Sequence, residues 1–167
     1  MLSSLPRDDL RVRLMRGLAL YYFSPTPSNE ARAILQEISR SDPGNPCAEH
    51  TLACMRKMER LKTQGNAHFE AGRHEAALHA YTQALELDPK HRLVNSTVLA
   101  NCAAANMGQR NDLKALENCN RSLSLNPKYT KAYLRRANVH MRLEDYEEAV
   151  HGYNKVRELD ENTQAYF

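Results

Sequence analysis

Residues 61–89 read LKTQGNAHFEAGRHEAALHAYTQALELDP, and this stretch decides the fold. Small residues stand at Gly65, Ala77 and Ala84, and the large Tyr81 lies between the last two. Small residues let two helices approach closely, while a large residue fills the remaining space between them. The final proline would end the second helix, because proline cannot continue an α-helix. The spacing therefore predicts an antiparallel pair of helices joined by a short turn.

The same spacing recurs twice more with a period of about 34 residues, which is typical of helical repeat proteins. The matching residues of the second copy, which closes at Pro127, are Leu99, Ala103, Ala115, Cys119 and Ser122. Glu161 replaces the closing proline of the third copy, whose matching residues are Tyr133, Ala137, Ala149, Tyr153 and Val156. A degenerate earlier pair closes at Pro43. We therefore expect eight helices, at 8–23, 28–41, 46–71, 74–87, 92–108, 111–125, 130–143 and 146–159.

Helical pairs stacked in series predict an all-α fold, a right-handed α-solenoid of antiparallel helix pairs. Two helix starts are marked especially clearly in the sequence. Ser28 is a favourable N-cap after a proline-containing turn, and Asn45 followed by Pro46 is another favourable start. The helix that begins at Pro46 is unusually long, because it extends the first full repeat backwards by about a dozen residues.

The domain organisation follows from the repeat frame. We expect a degenerate helix pair over residues 1–45 and a three-repeat domain over 46–163. Its repeats lie near 58–91, 96–129 and 130–163, with the first helix extended back to 46. Residues 164–167 would begin a capping helix, which a stack of repeats needs to cover its last apolar face. We therefore expect the sequence to be a piece of a longer protein.

Composition and motifs argue against several classes of function. The formal net charge is only +3, whereas nucleic-acid-binding proteins usually carry a dense basic patch. No apolar run reaches the length of a membrane span. The four cysteines follow no zinc or redox spacing, which indicates reduced, buried thiols in a cytoplasmic protein. Phosphate-binding and nucleophile motifs are also missing from the sequence. We therefore expect no enzyme, no cofactor, no metal, and neither nucleic acid nor membrane as partners.

Two polar pairs stand out among the first helices of the repeats. Lys62 and Asn66 are four residues apart, as are Lys131 and Arg135, so each pair shares one face of its helix. A Lys–Arg pair at this spacing is mildly destabilising in isolation, and a broken local rule indicates function. Asn101 lies on the helix between the two pairs.

The segments that carry these residues, 61–66, 99–101 and 131–137, resemble the dicarboxylate-clamp family of tetratricopeptide repeat (TPR) proteins. Members of that family bind the C-terminal Glu-Glu-Val-Asp tails of heat-shock protein 70 and heat-shock protein 90. The resemblance implies that the first helix of each repeat lines a concave groove. It also implies that five residues, called the clamp residues below, hold the two carboxylates of the last ligand residue: Lys62, Asn66, Asn101, Lys131 and Arg135.

Charge-assisted hydrogen bonds suit this task, and asparagine donates without adding like-charge repulsion. The resemblance further implies that Phe69, Ala104 and Met107 contact the ligand valine and the residues before it, and that Arg142 meets an upstream acid. Each residue taken singly is more often an ordinary surface or packing residue. Five required residue types at five required positions favour the clamp.

A wider resemblance links residues 16–22, the long cysteine-containing helix, and residues 132–137 and 146–150 to the TPR-containing J-domain co-chaperones. The sequence has no His-Pro-Asp triplet, so no J-domain activity is expected from it. The leading hypothesis is a co-chaperone module that docks the tails of the two heat-shock proteins. The runner-up is a scaffold that binds an internal or folded segment of its partner. A regulator of chaperone ATPase activity through a downstream J domain and a basic nucleic-acid-binding solenoid are further alternatives.

Overall fold

The computed structural model describes residues 9–24 and 28–164, and side chains as far as residue 161. This part of the chain forms eight α-helices and no strand, so the predicted all-α class is confirmed. The helices are α1 (Leu10–Tyr22), α2 (Asn29–Ser41), α3 (Pro46–Glu70), α4 (His74–Leu87), α5 (Arg92–Gly108), α6 (Asp112–Leu125), α7 (Thr130–Arg142) and α8 (Tyr146–Gln164).

Most helix boundaries lie within two residues of their predicted positions. Both predicted N-caps form: the Ser28 hydroxyl accepts a hydrogen bond from the Ala31 amide at 3.2 Å, and the Asn45 side chain accepts one from the Ala48 amide at 3.1 Å. These bonds satisfy amide groups that have no partner within the first turn of a helix. The predicted start of the first helix at residue 8 lies outside the described residues, as do positions 25–27 of the following turn.

The predicted end of the last helix at residue 159 was wrong, because α8 continues to Gln164. Glu161 stands where the first two repeats have a proline, so nothing interrupts the backbone hydrogen bonds there. We expected a capping helix to begin at residues 164–167; Gln164 is the last residue of α8, and 165–167 lie outside the described residues.

The chain divides into two compact units, and the boundary falls between Arg60 and Leu61 within α3. The first unit is held together by an apolar core from α1, α2 and the first part of α3. Gly17 permits close contact between α1 and α2, because a Cβ atom there would lie 3.1 Å from the Ile34 side chain. The buried residues of this core are Tyr21, Ala31, Leu35, Ile38, Ala48, Leu52 and Met55.

The second unit contains the end of α3 and the helices α4 to α8. Its paired helices meet through buried small residues, such as Ala77, Ala103 and Ala137, none of which is exposed. Helices α5 and α6 are also joined by two reciprocal hydrogen bonds between buried serines. The Ser96 hydroxyl donates to the Ser122 carbonyl at 3.0 Å, and the Ser122 hydroxyl donates to the Ser96 carbonyl at 2.7 Å. Close backbone approach and satisfied polar groups thus fix these pairs in one register.

In the second unit, the turn inside each of the three helix pairs contains a residue in the left-handed conformation, at the same repeat position. These residues are Gly72 (φ 71°), Arg110 (φ 58°) and Glu144 (φ 62°). Each turn ends its helix with the hydrogen-bond pattern of a Schellman motif: for example, the Asn111 amide donates to the Asn106 carbonyl at 2.9 Å. Glycine adopts this conformation freely, whereas other L-residues incur a cost of roughly 1–2 kcal/mol.

Three of the four cysteines are buried, as expected, but Cys47 is exposed in the first turn of α3. Burial raises the pKa of Cys102 to about 12 and that of Cys119 to about 11. Both thiols therefore remain protonated at neutral pH and act as small apolar residues. In the described part of the chain, no three cysteine, histidine or acidic side chains are grouped in a way that could hold a metal.

Candidate functional site

An open groove of about 310 Å³ lies on the second unit, between the ends of α3, α5 and α7. We call it the clamp groove, and the structure brings all five clamp residues together in its wall. Helix geometry explains this arrangement, because residues four apart on α3 and on α7 face the same way. The lining residues are Lys62, Asn66, Phe69, Glu70, Tyr81, Thr97, Asn101, Ala104, Tyr129, Lys131 and Arg135.

A chain of hydrogen bonds connects the three helices across the groove. Arg135 Nη1 donates to Asn101 Oδ1 at 3.2 Å, and Asn101 Nδ2 donates to Asn66 Oδ1 at 3.4 Å. An arginine can only donate, so Asn101 must accept with its oxygen and donate with its nitrogen. The direction of both bonds is thereby fixed, and we call these three residues the amide relay.

The hydroxyl of Tyr81 on α4 completes the relay from the other side, donating to Asn66 Oδ1 at 2.7 Å. Two donors thus converge on the Asn66 oxygen, which leaves its Nδ2 group as the atom that can donate to a ligand. Burial raises the pKa of Tyr81 to about 12, although the nearby Arg135 guanidinium acts in the opposite direction. The phenol therefore remains a hydrogen-bond donor throughout the neutral range.

The charge of the clamp groove is positive. Lys62, Lys131 and Arg135 contribute three cations, and Glu70 is the single carboxylate among the described residues that line it. Lys131 is exposed, whereas Lys62 and Arg135 are partly buried. Partial burial strengthens the interaction of these cations with an anion, because the effective dielectric constant is lower than in water. The groove therefore suits an anionic ligand with several acceptor oxygens.

The other predicted contact residues fall in two places. Phe69 and Ala104 line the clamp groove, next to the amide relay. Met107 and Arg142 line a second, adjoining cavity instead, together with Gly108, Arg110 and Asp112. The side chains at the ends of α5 and α7 therefore form a separate compartment.

Arg142 has a carboxylate partner in this second cavity, and its contact with an upstream acid of a ligand stays a prediction. Its Nη2 atom lies 3.2 Å from Asp112 Oδ1, and its Nη1 atom donates to the Met107 carbonyl at 2.9 Å. Asp112 is the first residue of α6, and it lies close enough to the end of α7 to contact Arg142. The guanidinium thus ties α7 to the end of α5 and the start of α6.

The sequence does not predict the roles of two residues of the clamp groove. The sequence indicates Tyr81 only as a packing residue, and it gives no signal for Tyr129, which precedes α7. The pairing of Tyr81 with Asn66 could have been found, because it recurs fifteen residues apart in the last repeat. There the Tyr153 hydroxyl donates to Asn138 Oδ1, also at 2.7 Å.

No helix within residues 9–24 and 28–164 is long and apolar enough to cross a membrane.

Comparison with known proteins identifies repeats and relatives of the chain. The family model described as tetratricopeptide repeat matches residues 59–91 and 130–163. The DnaJ homolog subfamily C member 7 homolog of Dictyostelium discoideum is 34% identical over 166 residues, which cover 96% of this chain and 30% of that protein. Human DnaJ homolog subfamily C member 7 is 33% identical over 151 residues, covering 87% and 29% respectively. The chain therefore spans less than a third of the length of these relatives.

Solved structures show the same kind of fold. The first TPR domain of Spaghetti (RPAP3), bound to the HSP90 peptide SRMEEVD, has a TM-score of 0.59 and 34% identity, covering 64% of this chain and 82% of that one. The P58(IPK) TPR domain has a TM-score of 0.73 at 17% identity, covering 95% of this chain and 44% of that one. The second likeness concerns the fold alone, whereas the first extends to the sequence.

Proposed function

The chain belongs to the tetratricopeptide repeat family, and on that premise we propose that its second unit binds the free C-terminal tail of a partner protein that ends in Glu-Glu-Val-Asp. Such tails are those of heat-shock protein 70 and heat-shock protein 90. The observation that carries the proposal is the amide relay of Arg135, Asn101 and Asn66, flanked by two lysines in one groove. The unit would thereby act as a peptide-binding co-chaperone module.

The chemistry of the groove fits two adjacent carboxylates. The last residue of such a tail presents a main-chain carboxylate and a side-chain carboxylate, which together offer many acceptor sites. The clamp residues offer matching donors from α3 and α7: the ammonium groups of Lys62 and Lys131, the remaining N–H groups of Arg135, and the amide of Asn66. Each hydrogen bond to a charged group contributes roughly 1.5–3 kcal/mol. The apolar surface of Phe69 and Ala104 would accept the penultimate valine.

The comparisons support the same proposal. The peptide in the Spaghetti complex ends in Glu-Glu-Val-Asp, and that domain is 34% identical to this chain. A cytoplasmic location, the absence of catalysis, and the lack of nucleic-acid or membrane partners are parts of the proposal. The ligand would bind in an extended conformation, because the groove has no long apolar stripe of the kind that helix recognition requires.

The proposal is tested by calorimetric titration with a peptide that ends in Glu-Glu-Val-Asp and with its C-terminally amidated twin. We expect the amide to bind at least about tenfold more weakly, because it lacks one of the two carboxylates. Affinity for the free acid should also fall as salt rises, because exposed charges are screened. Equal binding of the two peptides would instead favour a scaffold that recognises an internal or folded segment.

Tyr81→Phe should weaken binding of the free-acid peptide by about three- to tenfold. The change removes one hydrogen bond to Asn66, whose amide can then rotate away from its donating orientation, and such a bond contributes about 1 kcal/mol. Tyr153→Phe is the matched control, because it deletes the same Tyr–Asn bond in the last repeat, outside the clamp groove. Calorimetry should show an affinity loss for Tyr81→Phe alone, and an equal loss in both variants would contradict the assigned role.

A further inference from the structure

The second cavity, next to the clamp groove, contains a cation that the proposed function has not used. Arg110 lies in the turn after α5, and its side chain is exposed. Neither a hydrogen bond nor an ion pair engages its guanidinium within residues 9–24 and 28–161. The other cation of this cavity, Arg142, is held by Asp112. The uncompensated positive charge of the cavity therefore belongs to Arg110.

The backbone at Arg110 is an unfavourable place for an arginine. Its φ of 58° lies in the left-handed region, where the equivalent turn of the first repeat has Gly72. A glycine would be more stable at this position, because it has no Cβ to crowd the following carbonyl. Glu144 has the same conformation without lining either cavity, so what distinguishes Arg110 is its charge and its place in the second cavity.

A ligand that is clamped at the relay and runs toward the C-terminal end of α5 would approach Arg110. Phe69, Glu70 and Ala104 all lie beyond the relay residues in the C-terminal direction of their helices, and they continue the groove that way. From Asn101 to the end of α5 at Gly108 is a rise of about 10 Å, at 1.5 Å per residue. An extended ligand covers this distance in about three residues. Glu70 repels an acidic side chain on the α3 side of this path.

We propose that Arg110 forms a second anionic subsite, which accepts an acidic side chain two or three residues before the clamped C-terminal residue of the ligand. This inference rests on the proposed function, since the clamp sets the register of the ligand. Arg110 thereby makes the groove selective for tails that are acidic upstream, and not only at their last residue. The clamp holds the end of the tail, and Arg110 reads the sequence before it.

Glu144 provides the matched control for a substitution at Arg110. It occupies the same position in the turn of the last repeat, with φ 62°, but it does not line either cavity. Glycine at either position relieves the same backbone strain. We expect Arg110→Gly and Glu144→Gly each to raise the melting temperature by about 2–4 °C, so a loss of binding cannot be ascribed to unfolding.

The experiment is a calorimetric titration of the wild type and of both variants with two eight-residue peptides that have free C-termini. Both peptides end in Val-Asp, and they carry either glutamates or glutamines at the second and third positions before the last residue. We expect Arg110→Gly to bind the glutamate peptide about three- to tenfold more weakly and with a weaker salt dependence. Its affinity for the glutamine peptide, and both affinities of Glu144→Gly, should match the wild type.

Two outcomes overturn the subsite. Arg110→Gly could bind the glutamate peptide as tightly as the wild type, or Glu144→Gly could lose as much affinity as Arg110→Gly. In both cases wild-type binding of the free-acid peptides would leave the clamp proposal standing. If the wild type bound neither peptide, the clamp would fail and the subsite with it.

Discussion

Arg135→Met is expected to lower the affinity for a free C-terminal tail by roughly a hundredfold, or about 3 kcal/mol. The guanidinium has two tasks in the proposed complex: it meets a ligand carboxylate, and it orients Asn101 through the 3.2 Å hydrogen bond. Without it, the 3.4 Å hydrogen bond to Asn66 alone orients the Asn101 amide. The variant therefore loses a charged contact together with one of the two bonds that orient Asn101.

Arg136→Met is the control that separates this effect from a general loss of positive charge. Arg136 follows Arg135 on α7, but it donates to Asn120 at 3.3 Å, lies over the Tyr133 ring, and does not line the clamp groove. Methionine suits both positions because its helix propensity is close to that of arginine. Calorimetry should show near wild-type affinity for Arg136→Met. Similar losses of affinity in both variants would show that only the net positive charge matters, and they would contradict the role assigned to the amide relay.

The positions of the helices could be predicted because the repeat encodes them redundantly. Gly65, Ala77 and Ala84 mark the contact between two helices, and proline marks the end of the pair. Because these markers recur, a helix position that is unclear in one repeat can be predicted from the other repeats. Where a marker is missing the prediction failed: Glu161 replaces the proline that ends the other repeats, so the sequence offers no residue at which to place the end of α8.

The candidate site was predictable as a set of residues but not as a network. Spacing along α3 and α7 determines which side chains share a face, so the grouping of the clamp residues follows from the repeat frame. The relay depends instead on amide orientations and on distances between helices. The capture of Arg142 by Asp112 joins residues thirty positions apart, and no local pattern indicates it. The left-handed Arg110 was equally hidden, because its sequence gives no glycine there.

The second large effect concerns the packing of α3 against α4. Asn66 of the amide relay lies on α3 and accepts a hydrogen bond from Tyr81 of α4, so the relay depends on this packing. Gly65→Ala should lower the free energy of unfolding by about 2 kcal/mol in urea denaturation. A Cβ atom at position 65 would lie 2.4 Å from Cε1 and 2.6 Å from Cδ1 of Tyr81. That ring is only 1% exposed, so it has no free space to enter, and the helices must separate. The helix preference of alanine over glycine, about 1 kcal/mol, offsets only part of this strain.

Gly108→Ala tests whether the loss of stability depends on the side chain that the added Cβ meets or on the replacement of glycine itself. Its added Cβ would also come within 2.4 Å of a ring, that of His74, but this imidazole is partly exposed and can turn aside. We expect Gly108→Ala to change stability by less than about 1 kcal/mol. Equal losses in the two variants would contradict this account. Gly65→Ala displaces the Tyr81 ring, whose hydroxyl donates to Asn66, so it should also weaken peptide binding. The glycine of the 61–89 stretch thus affects the hydrogen-bond donors of the clamp groove through its contact with Tyr81.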